Sequence, residues 1–113
     1  MSCIFCKIVQ KKIWADPVLE TEDVLAFHDS APQAPIHVLV IPKKHLKTIL
    51  DLEVSNGRLG VALLSAVQTV ATQLGLAEQG FRVVANTGRD GGQAVDHFHF
   101  HILGGRSFSW PPG

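Results

Sequence analysis

The chain has 113 residues, of which 46% are apolar and 18% are charged. This balance excludes extensive disorder, and the length predicts one compact domain over residues 1–113. Ten basic and ten acidic residues cancel, which excludes the overall positive charge that draws a protein to nucleic acid or to an anionic membrane.

At the N-terminus, the basic residues of "MSCIFCKIVQKK" follow the apolar ones, which is the reverse of a secretory signal. No apolar run reaches the roughly 20 residues that a membrane-spanning helix needs. We therefore expect a cytoplasmic protein without a nucleic-acid or membrane partner. Cys3 and Cys6 would close only a very small loop, so we expect thiols or metal ligands rather than a disulfide.

In chain order, the patterns predict a short helix at residues 3 to 10, followed by strands at "PVLET", "VLAFHD" and "HVLVIP". Apolar residues at steps of three and four predict a long helix over residues 56–74, with Ser55 as its N-cap and Gly75 as its stop. Strands at "FRVVANT" and "HFHFHIL" follow. Because only one clear helix lies between strands, the predicted fold class is α+β with antiparallel hairpins.

The stretch "NTGRDGGQAVD", residues 86–96, joins the last two predicted strands and carries three glycines. Glycine leaves backbone amides unshielded, so such a loop can direct N–H groups at an anion. It does not match G-x-G-x-x-G, and we do not expect it to open a helix. By itself the stretch is more typical of a long hairpin loop than of a phosphate site.

In "HFHFHIL", three histidines alternate with apolar residues. On a strand, His97, His99 and His101 share one face, and the apolar face packs against the long helix. Three explanations compete: a solvated polar face, a zinc hydrolase in which two alternate histidines share a metal, and a nucleophilic imidazole whose neighbours position it. The spacing alone does not separate the last two, but the glycine-rich loop favours phosphoryl chemistry.

The motif His-φ-His-φ-His-φ-φ, where φ is an apolar residue, resembles the signature of the histidine triad superfamily. With "FHDSAPQAPIHVLVIPKKH" and the terminal "WPPG", nearly the whole chain resembles the histidine triad nucleotide-binding branch. The resemblance implies an α+β fold with a five-stranded antiparallel sheet, one long and one short helix, and a homodimer that joins two sheets. It implies hydrolysis of purine nucleoside phosphoramidates and aminoacyl adenylates.

The resemblance also implies a role for each matching residue. His99 would attack the α-phosphorus and form a covalent nucleotidyl intermediate. His101 would contact phosphate and help to move a proton to the leaving amine, and His37 and His97 would complete the cluster that orients the nucleophile. The implied nucleotide-binding residues are Asp29 at the ribose, Asn86, Gln93 and the backbone around Ala94 at the phosphate and leaving group, and Phe27, His28, Ile4, Phe5 and Ile8 around the base. Ala94 stands where the branch often has a serine, so one hydrogen bond to phosphate would be missing, and Asp96 replaces a bulkier residue.

The pair "CIFC" is half of a typical zinc site, and by itself it fits two buried thiols equally well. Some superfamily members with this N-terminus bind a structural zinc ion through both cysteines and two histidines. The matching residues are Cys3, Cys6, His45 and His97. The resemblance implies that the chemistry itself requires no cofactor.

Two other functions remain open on the sequence. One is cleavage of dinucleoside polyphosphates through the same covalent intermediate. The other is a nucleotide-binding regulatory protein in which catalysis is incidental.

Overall fold

A computed structural model describes residues 3–113, which build one five-stranded sheet with two helices of more than one turn. The strand order is β1-β2-β3-β5-β4, and every neighbouring pair is antiparallel. The α+β prediction with a five-stranded antiparallel sheet is therefore confirmed. The strands are β1 (Pro17–Glu20), β2 (Val24–His28), β3 (Ile36–Pro42), β4 (Arg82–Val84) and β5 (Phe100–Gly104); the helices are α1 (Ile4–Val9), α2 (Arg58–Gln73), a single turn α3 (Gly88–Gly91) and a 3₁₀ turn at Ile49–Asp51.

The two faces of the sheet carry separate apolar clusters, because successive residues of a strand point to opposite faces. Helix α2 packs on one face, where the buried cluster includes Val38, Val40, Phe98 and Ile102. Helix α1 belongs to the other cluster, with Phe5, Ile8, Leu25, Phe27, Leu39 and Ile41. In the register of β3 with β5, Leu39 pairs with His101, so the imidazole of His101 lies on the α1 side.

The long helix begins later than the pattern predicts, and Ser55 is not its N-cap. Gly57 occupies the cap with a φ of +74°, a value that glycine adopts without a Cβ clash. The Ser55 hydroxyl instead donates to Glu53, and the side-chain oxygen of Asn56 accepts from the N–H of Arg58. The predicted stop is confirmed, because α2 ends at Gln73 and Gly75 has a φ of +74°.

The prediction that all of "HFHFHIL" is strand is wrong in its first half, since β5 begins only at Phe100. His97 and His99 lie on irregular backbone before it, where the N–H of Phe98 donates to the carbonyl of Leu46 rather than to a strand. The apolar side chains of this segment still face the α2 side as predicted, because Phe98 and Ile102 are both buried in the cluster there. The expectation that residues 86–96 open no helix is also wrong, since Gly88–Gly91 form one turn.

Within residues 3–113, every helix is too short or too polar to cross a lipid bilayer.

Candidate functional site

The backbone carbonyl of His97 fixes the tautomer of His99. Nδ1 of His99 lies 2.7 Å from that oxygen, and a carbonyl oxygen can only accept, so Nδ1 carries the ring proton. In the neutral ring, Nε2 then holds a lone pair. Among residues 3–113 no buried side-chain nitrogen lacks a partner. No residue of that range offers Nε2 a hydrogen bond, so this nitrogen is not buried and solvent reaches it.

The rest of the His99 ring is enclosed, and only 5% of the residue is exposed. Phe5 from α1 packs against it edge-on, with ring centroids 5.1 Å apart. His101 stands on its other side, with a centroid distance of 4.9 Å. The imidazole is therefore fixed in orientation while one nitrogen stays accessible, which is the arrangement that a nucleophile needs.

His37 on β3 and His101 on β5 form a hydrogen-bonded pair, with His37 Nε2 2.9 Å from His101 Nδ1. A carboxylate oxygen of Asp29 lies 3.5 Å from the same His37 nitrogen. Burial, reinforced by His99 and His37, lowers the pKa of His101 to about 4. Burial also lowers the pKa of His37, although the Asp29 carboxylate opposes this shift. Both rings are therefore neutral at pH 7.

Asp29 follows β2 directly, and its other carboxylate oxygen accepts from the N–H of Ala31 at 2.8 Å. This contact fixes the carboxylate beside His37. The assignment of Asp29 to a ribose stays a prediction.

The glycine-rich loop uses its polar side chains to hold its own shape. Asn86 donates to the carbonyl of Gly91, and the side-chain oxygen of Gln93 accepts from the N–H of Gly88. The Gln93 amide group also donates to the carbonyls of Lys47 and Val95. Ala94 is exposed. Contacts of Asn86, Gln93 and Ala94 with a phosphate therefore stay predictions.

Of the residues expected around the base, Phe5, Ile8 and Phe27 pack together, with the Phe5 and Phe27 centroids 5.6 Å apart. Ile8 and Phe27 also line an open cleft of about 260 Å³. Ile4 is 46% exposed and His28 is exposed at the end of β2, and neither lines this cleft.

The same cleft is lined by two residues that the sequence analysis missed, Ile13 and Trp14. Trp14 is 80% exposed, so a large aromatic surface stands free beside the cleft. The signal was the adjacent pair of bulky apolar residues directly after the lysines of "QKKIW".

A second cluster brings the predicted metal ligands together. Nδ1 of His97 lies 3.4 Å from the Cys3 sulfur, 3.6 Å from the Cys6 sulfur and 3.2 Å from Nδ1 of His45. The Cys6 sulfur lies 3.2 Å from Nδ1 of His45, and all four atoms lie within 4.8 Å of one another. Tetrahedral zinc would place two nitrogens about 3.3 Å apart, and a nitrogen and a sulfur about 3.5 Å apart.

The other ring nitrogen of His97 supports the same conclusion. Nε2 lies 2.8 Å from the carbonyl of Pro42, so it carries the proton and directs a lone pair from Nδ1 into the cluster. Metal-binding histidines usually donate their second N–H in this way. The Cys/His cluster, meaning Cys3, Cys6, His45 and His97, therefore fits a closed tetrahedral metal site.

The alternative of a zinc hydrolase that uses adjacent triad histidines does not fit this geometry. Two groups of potential metal ligands occur among residues 3–113: the Cys/His cluster, and Asp29 with His37 and His101. His99 belongs to neither, and His97 and His101 belong to different groups.

Comparisons with known proteins agree with this architecture. A model of the HIT domain matches residues 10–108. An uncharacterized HIT-like protein of Synechococcus elongatus is 51% identical over 97% of this chain and 96% of its own length. The structure is similar to a HIT family hydrolase from Legionella pneumophila, with a TM-score of 0.95, 47% identity, and coverage of 99% of this chain and 100% of that one. It is also similar to a histidine triad nucleotide-binding protein from Candida albicans, with a TM-score of 0.85, 34% identity, and coverage of 97% and 83%.

Proposed function

The chain belongs to the HIT domain family, and on that premise we propose that it hydrolyses purine nucleoside phosphoramidates or aminoacyl adenylates through a nucleotidyl-His99 intermediate. The observation that carries the proposal is the contact from Nδ1 of His99 to the carbonyl of His97, which leaves the lone pair on the accessible Nε2. The similarity to HIT family hydrolases supports nucleotide hydrolysis in general.

The reaction has two steps. Nε2 of His99 bonds to the α-phosphorus while the bond from phosphorus to the leaving group breaks, and an amine leaving group takes up one proton. Water then attacks phosphorus, breaks its bond to His99 and gives up one proton, so the net reaction is hydrolysis. The carbonyl of His97 accepts from Nδ1 throughout and stabilises the positive charge that the ring gains in the covalent state.

The base-binding part of the proposal rests on the apolar surface next to His99. Phe5 contacts both His99 and Phe27, so a single aromatic ring separates the nucleophile from Phe27, which lines the cleft. A flat purine base fits such an aromatic and aliphatic surface. Asp29 stands beside the His37–His101 pair, where it can accept from ribose hydroxyls.

We further propose that the Cys/His cluster holds a structural zinc ion. The bound ion supplies a cross-link between α1, the segment after β3 and the segment before β5. Through the His97 backbone, this cluster adjoins the carbonyl that orients His99. The ligands themselves stay outside the reaction.

A homodimer is the assembly we propose. The described part of the chain leaves one edge of β4 unpaired, and Phe81 and Val83 at that edge are 39% and 41% exposed. Val61 and Leu64 on α2 are exposed as well. A second copy pairing at this edge would extend the sheet and cover apolar surface; light scattering tests this, and a monomeric mass at micromolar concentration contradicts it.

The test of the reaction is turnover of an adenosine phosphoramidate by the wild type and by His99→Ala. We expect a loss of at least about 1,000-fold in kcat, because no other residue occupies the nucleophile position. Nucleotide binding, measured by calorimetry, should persist. An acid-quenched wild-type reaction should contain protein heavier by one nucleotide, and the variant should not. Undiminished turnover by His99→Ala would refute the proposal.

Competition between the phosphoramidate and a dinucleoside polyphosphate, compared by kcat/KM, separates the two substrate classes. A chelator serves as the control for metal chemistry. We expect turnover to survive removal of any bound metal, provided that the protein stays folded.

A further inference from the structure

His37 is contacted at both ring nitrogens, and one contact comes from the main chain. The N–H of Gln33 lies 3.0 Å from Nδ1 of His37. A backbone N–H can only donate, so Nδ1 must be unprotonated, and the single proton of the neutral ring lies on Nε2. Nε2 faces Nδ1 of His101 at 2.9 Å, and that nitrogen must therefore accept. The proton of neutral His101 then lies on its own Nε2.

We infer that the main-chain amide of Gln33 sets the proton positions of the His37–His101 pair, and so makes His101 a hydrogen-bond donor to the substrate phosphate. This inference rests on the proposed function. With the amide in place, His101 presents an N–H to phosphate oxygens, whose negative charge grows as His99 attacks. In the reversed arrangement His101 would present a lone pair, which repels those oxygens. Gln33 is thus a positioning residue that acts through two imidazoles.

A remote arginine contacts the main chain on the other side of the Gln33 Cα. Nη2 of Arg106 donates to the carbonyl of Gln33 at 3.1 Å, and the guanidinium lies 4.2 Å from the centre of the Phe108 ring. Gly105, which precedes this arginine, passes close to Pro35, because its φ is +87° and an added Cβ would lie 2.9 Å from the Cβ of Pro35. The Gln33 side chain points elsewhere and donates to the carbonyl of Ala31.

The contact from the Gln33 N–H to His37 also disfavours metal binding by the group of Asp29, His37 and His101. Asp29, His37 and His101 offer three ligand atoms within 4.8 Å of one another. Binding a metal through Nε2 of His37 would move the ring proton to Nδ1, where it would meet the N–H of Gln33. His97 has the opposite environment, because a carbonyl stands behind its ring. We therefore expect metal at the Cys/His cluster and not at the His37–His101 pair.

The test reads the tautomers directly by ¹⁵N chemical shifts in histidine-labelled protein, comparing the wild type with Gln33→Pro and Gln33→Ala. Proline removes the N–H, whereas alanine keeps it and removes only the side chain. We expect Nδ1 of His37 and of His101 to be unprotonated in the wild type and in Gln33→Ala. In Gln33→Pro, a substantial fraction of His37 should move its proton to Nδ1.

Kinetics supply the second readout. Gln33→Pro should have a kcat at least about tenfold below that of Gln33→Ala, with little change in KM, because the lost hydrogen bond strengthens only as charge develops. The Arg106→Ala variant keeps the Gln33 N–H and loses only the arginine contact to the Gln33 carbonyl. Its kcat should therefore fall by less than that of Gln33→Pro. Zinc added to the wild type should leave the His37 resonances in place.

Two results would overturn the inference: wild-type His37 protonated at Nδ1, or equal tautomers and equal kcat in the proline and alanine variants. The wild-type spectrum decides even where Gln33→Pro fails to fold. The expected tautomers without any phosphoramidate turnover would refute the proposed function and leave the role of Gln33 in placing the protons intact.

Discussion

Acidification from pH 7 to pH 4 is expected to destabilise the fold through His101. Its pKa lies at about 4 in the folded chain, against 6.5 for a free imidazole. Between these values the unfolded chain binds a proton that the folded chain does not, so the free energy of unfolding falls as the pH falls through 6.5 towards 4. Above pH 6.5 the His101 ring is neutral in both states, so it no longer makes the free energy of unfolding depend on pH.

The size of the effect follows from the shift. Each pKa unit corresponds to about 1.4 kcal/mol, so a shift from 6.5 to about 4 gives an upper limit of about 3 kcal/mol. His101 is only half-buried, and we expect about 2 kcal/mol after solvent screening. His37 shifts in the same direction. Pairing with Lys11 and Lys43 lowers the pKa of Glu20 from 4.5 to about 2, so Glu20 loses its stabilising effect mainly below pH 4.5, and it does so equally in a variant of His101.

The assay is urea unfolding between pH 7.5 and pH 4.2, with His101→Asn as the matched control. Asparagine places an uncharged acceptor near the position of Nδ1, so the variant can still accept from His37 but cannot titrate. The wild type should lose about 2 kcal/mol more than the variant across this range, and comparing the two cancels acid effects at the Cys/His cluster. Parallel pH profiles for the two proteins would refute the reasoning.

Three further predictions concern other parts of the molecule. Cys6→Ser should lower the zinc content, measured by mass spectrometry, from about one ion per chain to well below one, together with a lower Tm; equal metal content in both proteins contradicts the proposed site. Gly104→Ala should cost about 1–3 kcal/mol in urea unfolding, because its Cβ would lie 2.6 Å from a methyl carbon of buried Leu76; unchanged stability would show that Leu76 can move. Trp14→Ala should raise KM for a purine substrate several-fold with little change in kcat, because a stacking surface at the cleft is lost, and an unchanged KM would place the base elsewhere.

Much of the fold was predictable from local pattern. The helical spacing predicted α2, alternation predicted the strands, and the resemblance named the four residues that meet in the Cys/His cluster. The errors occurred where tertiary contacts override local preference. Ser55 looks like an N-cap, but the turn before α2 needs the positive φ of Gly57. "HFHFHIL" alternates like a strand, but Leu46 takes the N–H of Phe98.

The sequence by itself determined which residues alternate across the sheet and that three histidines share one side. Only the tertiary structure decided how they differ, because an imidazole's chemistry depends on what meets each ring nitrogen. Carbonyl oxygens behind His97 and His99 leave a lone pair on the opposite nitrogen of each ring, one towards two cysteines and His45, the other towards solvent. A backbone N–H behind His37 has the reverse effect. These partners are main-chain atoms, which are shared by almost all residue types, so side-chain patterns hold no record of them.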